Sequence, residues 1–246
     1  MTSPAVASPT LLSLDTSTER VHAALVRGDE TRVVELAGGA QASVTLLPAL
    51  QTLVAEAGLA WRDLDAIAFG AGPGAFTGLR TACSTAQGLA LGVNKPVLAL
   101  DTLMLVAESA RQIDPSAWAD GDEVWVLQDA RMEEMYVAAY RWQGETLGWA
   151  LVHDAQLWPL TEPQQRWSAQ APQHLAGSAL LAYADRFVGV PARLQWAQAM
   201  PSGAAQASVA LRAWHQGLAM DAALALPRYV RDKVAQTTAE RQAAKA

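Results

Sequence analysis

The chain has almost no cysteine: of 246 residues, only Cys83 carries a thiol. A single thiol excludes an internal disulfide and any multi-thiolate metal site, and points to a reducing compartment, the cytoplasm. Histidine is nearly as scarce. His22, His153, His174 and His215 lie far apart and form no His-x-x-x-His or similar pair, so the expectation is structural roles and no metal of the chain's own. A basic surplus is missing too, with 18 Lys and Arg against 24 Asp and Glu and a formal net charge of −6. An acidic surface does not attract a phosphate backbone, so nucleic acid is expected to reach this chain only through a partner. No run approaches the roughly 18 apolar residues of a membrane span. Residues 1–10 offer neither a basic n-region nor an apolar h-region and read as a disordered extension. Neither a Gly-Lys-Ser/Thr phosphate loop nor a nucleophile elbow is present.

What is there is a globular composition, 51% hydrophobic and only 17% charged. Residues 11–15 are an apolar run closing on Asp15 and the polar turn Thr16-Ser17-Thr18-Glu19. With 21–27 and 31–37, split by Gly28-Asp29, they read as three strands joined by tight turns. Leu47, Leu50, Val54 and Ala57 recur at helical spacing with Leu46 and Leu53 beside them, and Gly58 ends the run. Pro48 sets a helix start near itself, or a kink. Next come a buried strand at 66–69, a glycine-rich loop at 70–76 and a helix over 77–91, with Thr77 as N-cap and Gly92 as stop. A strand at 96–100 closed by Asp101 makes this a parallel pair with a right-handed crossover. A helix over 102–112 completes this section.

A second section opens at Glu123. Residues 124–128 form a strand ending at Asp129, with 135–141 as hairpin partner. Residues 142–175 read as loops with short strands, 174–177 as a strand, 180–187 as a helix and 202–216 as a helix capped by Ser202. The nine tryptophans are too dispersed for a stacking platform and read as core or loop anchors. Both halves repeat one theme: an apolar strand, an acid at its end (Asp15, Asp129), a short turn holding a glutamate, then a second strand. The expected division is 1–10 extension, 11–104 first half, 105–232 degenerate second half with its last helix packed back on the first, and 233–246 polar tail.

The strongest local signal is Gly70-Ala-Gly-Pro-Gly-Ala-Phe-Thr77-Gly-Leu-Arg80. Glycines admit close backbone approach and positive φ, and the helix after them offers free N–H groups, so the loop is fitted to cradle an anion. Two other readings stand beside this one: a purely structural turn, and a variant dinucleotide fingerprint, Gly70-x-Gly72-x-x-Ala75 with Asp101 on the next strand. Against the fingerprint, three strands and a helix precede the motif. Asp15 and Asp129 suit either a metal–nucleotide complex or ordinary strand-end turns. In the helix after Thr77, the small residues Gly78, Ala82, Thr85, Ala86 and Leu89 share a stripe with Cys83 beside it. Such a stripe packs closely on the chain's own sheet or forms a subunit interface with the Leu47 helix.

The segment 68–80 resembles the signature of the TsaB (YeaZ) family. The resemblance extends through Leu12 to Thr18, Leu46-Leu-Pro48, Ala86-Gln-Gly-Leu-Ala90, Leu100-Asp-Thr-Leu103, Asp129-Ala-Arg-Met132 with Tyr136, and Pro227-Arg-Tyr-Val-Arg231. It implies an α/β class: a duplicated ribonuclease-H-like, actin-like ATPase fold with two half-domains around a cleft. It also implies a subunit of the complex that puts a threonylcarbamoyl group on the adenosine beside the anticodon, in tRNAs reading codons that start with A. There a TsaD-type transferase carries out the transfer, TsaB pairs with it, and a TsaE-type ATPase joins them; ATP or ADP is used by the complex. TsaD proteins hold a metal through paired histidines on the first helix. Here that region reads Gln41-Ala-Ser-Val-Thr-Leu-Leu47, without histidine, which implies the partner subunit with no cofactor of its own. Ala42 stands where many relatives have a histidine.

On this reading the degenerate nucleotide cleft comprises Asp15, Thr16, Ser17, Gly72, Gly74, Thr77 and Asp129. The partner interface comprises Leu46, Leu47, Leu50, Val54, Gly78, Leu79, Ala82, Cys83, Ala86 and Leu89, a surface that a homodimer of the free chain would share. The alternative is a nucleotide-using enzyme, either a dinucleotide oxidoreductase or an actin-type phosphotransferase.

Overall fold

The computed structural model describes residues 8–167, 171–190 and 192–231. Thr10 already belongs to the first strand, so the N-terminal extension ends before it; residues 1–7 and the polar tail lie outside the described residues. The elements run β1 Thr10–Asp15, β2 Arg20–Arg27, β3 Glu30–Ala37, α1 Ala42–Glu56, β4 Ala66–Gly72, α2 Phe76–Val93, β5 Val97–Asp101 and α3 Thr102–Ile113. They continue with β6 Glu123–Asp129, β7 Glu134–Trp142, α4 Gly144–Leu147, β8 Trp149–Pro159, α5 Glu162–Arg166, β9 His174–Ala176, α6 Ala179–Ala182, β10 Leu194–Trp196 and α7 Gly203–His215.

Two five-stranded sheets result, in the orders β3-β2-β1-β4-β5 and β8-β7-β6-β9-β10. In each, a three-stranded antiparallel meander is extended by two parallel strands at the side of its first member. The two topologies are identical strand for strand. This is the duplicated ribonuclease-H-like arrangement of actin-like proteins, and it places Asp15 and Asp129 at equivalent strand ends.

The central strands of the first sheet are buried on both faces, and period-two alternation decides what each side chain meets. Leu12 and Leu14 of β1 face α1 and α2, packing with Leu46, Leu50, Ala82 and Ala86. Leu11, with Ala24, Ala66, Leu98 and Leu100, faces the opposite side, where α7 supplies Ala207, Val209 and Ala210. In the second sheet, Val124 and Val126 of β6 pack against Leu103, Val106, Ala107 and Ala110 of α3. Each half therefore lends its last helix to the other half's sheet. Among the described residues, no helix is long and apolar enough to cross a membrane.

Several elements differ from the sequence reading. Pro48 lies inside α1, which starts six residues before it; the carbonyl that its missing N–H would have met belongs to exposed Val44. α2 begins at Phe76 with Ala75 as N-cap and no side-chain cap, so Thr77 sits in the first turn. It runs past Gly92 to a left-handed Asn94. The helix over 180–187 is broken at Tyr183 into α6 and a 3-10 turn. The stretch 142–175 contains β8, the longest strand, with α4 and α5. β8 is an edge strand whose register against β7 shifts at Val137, Ala139 and Tyr140, so clean alternation in its sequence is lost. Seven of the nine tryptophans are clustered around the second sheet rather than dispersed. Trp118, Trp142, Trp149 and Trp196 gather on one side of the second sheet and Trp125, Trp158 and Trp167 on the other.

Two histidines are sealed in this core. Burial, with Arg20 nearby, lowers the pKa of His22 to about 4. Burial also lowers that of His174, which packs edge-on against the stacked pair Trp118 and Trp196. A depressed folded-state pKa means that the unfolded chain binds the proton first. The stability of the neutral forms is complete above the unfolded value near 6.5 and is lost as pH falls towards the folded value. Between pH 7 and pH 5, His22 alone is expected to cost about 2 kcal/mol. Urea unfolding across that range checks it, and His22→Gln should flatten the pH dependence by about that amount.

Candidate functional site

The acid ending β1 organises the first half of the cleft. Asp15 is fully buried. Its Oδ1 accepts from the Ser17 N–H at 2.8 Å and the Ser17 hydroxyl at 2.5 Å. Its Oδ2 accepts from the Thr102 hydroxyl at 3.2 Å, which in turn accepts from the Gly72 N–H at 3.1 Å. Burial raises the Asp15 pKa against the pull of these donors.

The glycine loop wraps this turn. A β-carbon on Gly70 would fall inside the Asp15 carboxylate, and one on Gly78 would strike the Thr16 carbonyl. At Gly74 it would stand 2.6 Å from the Ser17 β-carbon. The Thr16 hydroxyl donates to the Gly78 carbonyl at 2.5 Å, and the Ala75 N–H donates to the Ser17 carbonyl at 2.8 Å. The glycines that look like a phosphate cradle in the sequence are thus taken up by the chain's own 15–17 turn. Gly72, at φ 115°, faces Leu79 and the Arg228 carbonyl. Thr77 is exposed, away from the turn.

Asp129 occupies the equivalent strand end in different chemistry. It accepts from the Arg131 N–H at 2.7 Å and the Tyr183 hydroxyl at 2.9 Å, and pairs with the Arg131 guanidinium at 3.2 Å. Arg131, Met132 and Glu133 all adopt left-handed φ of 57–64°, a strained turn held by its neighbours. Arg131 also pairs with Glu19, joining the two turns across the cleft. Thr102 and Tyr183 escaped the sequence reading. Thr102 had a signal, since it comes directly after Asp101 in the family-like Leu100-Asp-Thr-Leu103; Tyr183 had none.

A space of about 10 Å³ lies between the start of α2, Tyr136 and residues 228–231, with Gly74, Phe76 and Leu79 in its lining. Ligand pockets run to roughly 300–1,000 Å³. The space beside the glycine loop is far smaller than that. A larger cavity of about 170 Å³ lies apart from the cleft, between β5 and α7. The one guanidinium there, Arg212, is already paired with Glu108 and Glu145. Among the described residues, no group of three or more His, Cys, Asp or Glu is placed to hold a metal.

The expected interface residues divide sharply. Leu46, Leu50, Val54, Leu79, Ala82, Cys83 and Ala86 are buried within this chain, so they pack the chain's own sheet and present no face to a partner. Gly78 is half-buried against Thr16, and Leu89 is half-buried at the edge of the core. Of these residues, only Leu47 is openly exposed. The outer faces carry Val44 and Leu47 on α1, and Ser84, Gly88 and Leu91 on α2.

Comparison with known proteins agrees with this geometry. A family model for TsaD, tRNA N6-adenosine threonylcarbamoyltransferase, matches residues 37–238. The tRNA threonylcarbamoyladenosine biosynthesis protein TsaB of Haemophilus influenzae is 41% identical over 128 residues, 52% of each chain. TsaB of Escherichia coli is 34% identical over 143 residues, 55% of this chain and 59% of that protein. The aligned part spans little more than half the length of these curated relatives. The structure of YeaZ from Pseudomonas aeruginosa superposes with a TM-score of 0.77 at 34% identity, covering 90% of this chain and 99% of the other. The chain belongs to the TsaB (YeaZ) family. A TsaB-type reading leaves the dinucleotide alternative without support: the first sheet is led by a meander rather than by the glycine loop, and α2 starts beyond the loop's glycines.

The loop geometry sets two glycines of α2 against each other. Gly78→Ala drives a methyl into the Thr16 backbone and should destabilise by about 3 kcal/mol, the upper end for overpacking. Gly88→Ala, on the same helix with nothing within 4 Å, should be neutral or stabilise by about 0.5–1 kcal/mol. Chemical denaturation of the two variants measures the contrast.

Proposed function

We propose that this chain is the non-catalytic partner subunit of the cytoplasmic complex that transfers a threonylcarbamoyl group to the adenosine next to the anticodon, in tRNAs reading codons that start with A. It pairs with and activates the TsaD-type transferase, and a TsaE-type ATPase joins the pair. The observation that carries this reading is family membership, through the match to YeaZ over 90% of the chain. The loop geometry is in keeping with it: Gly70, Gly74 and Gly78 pack against Asp15, Ser17 and Thr16 of the chain itself. In this reading the chain holds no cofactor, ATP or ADP is used by the complex, the metal belongs to the TsaD-type subunit, and tRNA is met only through the assembly.

Reconstitution tests it. With TsaD-type and TsaE-type proteins, tRNA and substrates, the modified nucleoside should form only when this chain is added, and the chain alone should hydrolyse no ATP. Full modification without it, or ATP turnover by the chain alone that survives re-purification, would overturn the reading.

Bulk at Ala82 or Ala86 would damage the chain's own core, since both are fully buried. The docking face is the outside of α1 and α2, where Leu47 supplies apolar area and Ser84 and Gly88 let a second helix pair approach to roughly 8–10 Å. A homodimer of the free chain uses the same face and competes for it. Gly88→Trp, pointing into open space, and Leu47→Glu should leave the fold intact. Overpacking of about 1–3 kcal/mol corresponds to up to about a hundredfold weaker association with the TsaD-type protein. Titration calorimetry measures it; unchanged affinity in both variants places the interface elsewhere.

A further inference from the structure

The cleft is closed from outside by a stretch with no regular structure, residues 227–231. Its contacts fall on both halves. The Arg228 N–H donates to the Ala71 carbonyl at 2.7 Å, continuing from the end of β4. The Arg228 guanidinium pairs with Asp101 of the first half at 3.4 Å and with Asp154 on β8 of the second. The Tyr229 ring lies 5.0 Å from Phe76, and its hydroxyl accepts from Arg80 Nε at 3.0 Å. Arg231 pairs with Glu134 at 2.6 Å and donates to the Arg131 carbonyl at 3.3 Å, on the second half's turn. Val230 packs on the core of the second sheet.

We propose that residues 227–231 are a strap that occupies the cleft in place of a nucleotide and fastens the two halves together. The strap's own backbone lies directly on the loop: the Arg228 carbonyl stands against Gly72, so closely that a β-carbon there would collide with it. The two arginines reach different elements. Arg228 joins β4 and β5 to β8, and Arg231 holds the strained turn between β6 and β7. A segment that merely ran along the surface would touch one half. This one is fixed at three points across the division, and it leaves about 10 Å³ beneath it. The inference stands apart from the proposed docking face, which lies on the outer side of α1 and α2.

Hydrogen–deuterium exchange of the full chain tests it, comparing the parent with Arg228→Gln/Tyr229→Ala. The expected result is at least tenfold faster exchange at 71–76 in the first half and at 130–136 in the second, with 20–37 and 42–56 unchanged. Arg228→Lys, which keeps the charge but loses the fork, gives an intermediate effect and serves if the double variant does not fold. Exchange unaltered beyond 226–231, or altered in one half only, overturns the strap. Equilibrium dialysis of the parent with magnesium and ATP should show no binding. Binding near one ATP per chain, with the strap peptides still protected, overturns its role as occupant. Partner affinity of the same variants reports on α1 and α2, so the two readings fail separately.

Discussion

A carboxylate sealed from water at the end of a central strand is the constraint around which the first half is arranged. Burying Asp15 is costly unless its oxygens are satisfied. No cation among the described residues pairs with it; the turn 15–17 supplies two donors and Thr102 the third. These donors reach it only if the 15–17 turn folds tightly under β4, and that leaves no room for side chains above. Gly70, Gly74 and Gly78 are the consequence. Thr102 extends the constraint to the start of α3, because its hydroxyl serves Asp15 and the Gly72 N–H together. A glycine-rich loop leading into a helix is compatible with phosphate binding, but the same composition arises when backbone must pack on backbone. The distances at Asp15, Thr16 and Ser17 show the second arrangement at Gly70, Gly74 and Gly78.

That distinction explains how much of the molecule was legible in its residues. The three-stranded opening, the strand–loop–helix–strand unit and the matching of Asp15 with Asp129 were readable. Each depends on local apolar periodicity or on a turn acid at a strand end. The assignment of the small-residue stripe on α2 was not. Ala82 and Ala86 suit a close neighbour of any kind, and sequence does not say whether that neighbour is the chain's own sheet or a second molecule. Burial answered it: the stripe faces inward, and the outward small residues are Ser84 and Gly88. β8 was missed for another reason. It lies at an edge, half-exposed, and its irregular register removes the alternation by which strands are recognised. The strap was present as Pro227-Arg-Tyr-Val-Arg231, but its role depends on Asp101 and Asp154, which are far away in the chain.

Duplication left a shared frame and divergent chemistry. The fourth strand of the first sheet ends in Gly72, and its counterpart in the second sheet runs into Gly177, both at φ 115°. A β-carbon on either would collide with backbone: the Arg228 carbonyl for one, the Leu127 carbonyl for the other. Beyond these glycines the halves part. The first continues into the 18 residues of α2, the second into one turn of α6. The equivalent acids diverge in the same way. Asp15 is sealed with neutral donors, whereas Asp129 is reached by the Arg131 guanidinium and the Tyr183 hydroxyl. Two acids that occupy matching places in the sequence therefore sit in environments with little in common. Arg131 divides its charge between Asp129 and Glu19 across the cleft.

The halves are nevertheless not independent units, because their last helices are exchanged. α3 leaves the first sheet and covers β6 and β7; α7 leaves the second and covers β1, β2 and β5. Where the two helices cross, the fully buried Glu108 of α3 receives Arg111, Arg212 of α7 and the Trp149 indole N–H. Removing either half would strip the other sheet of its cover and leave either a carboxylate or a guanidinium without its partner. A buried charge left alone costs far more than the intact pair contributes. The two repeated sheets thus describe topology, while cohesion runs through α3 and α7. With the halves joined on one side by this crossing and on the other by residues 227–231, the cleft is fixed at both edges. That geometry suits a subunit whose work is done on its outer helices rather than in a cleft that must open.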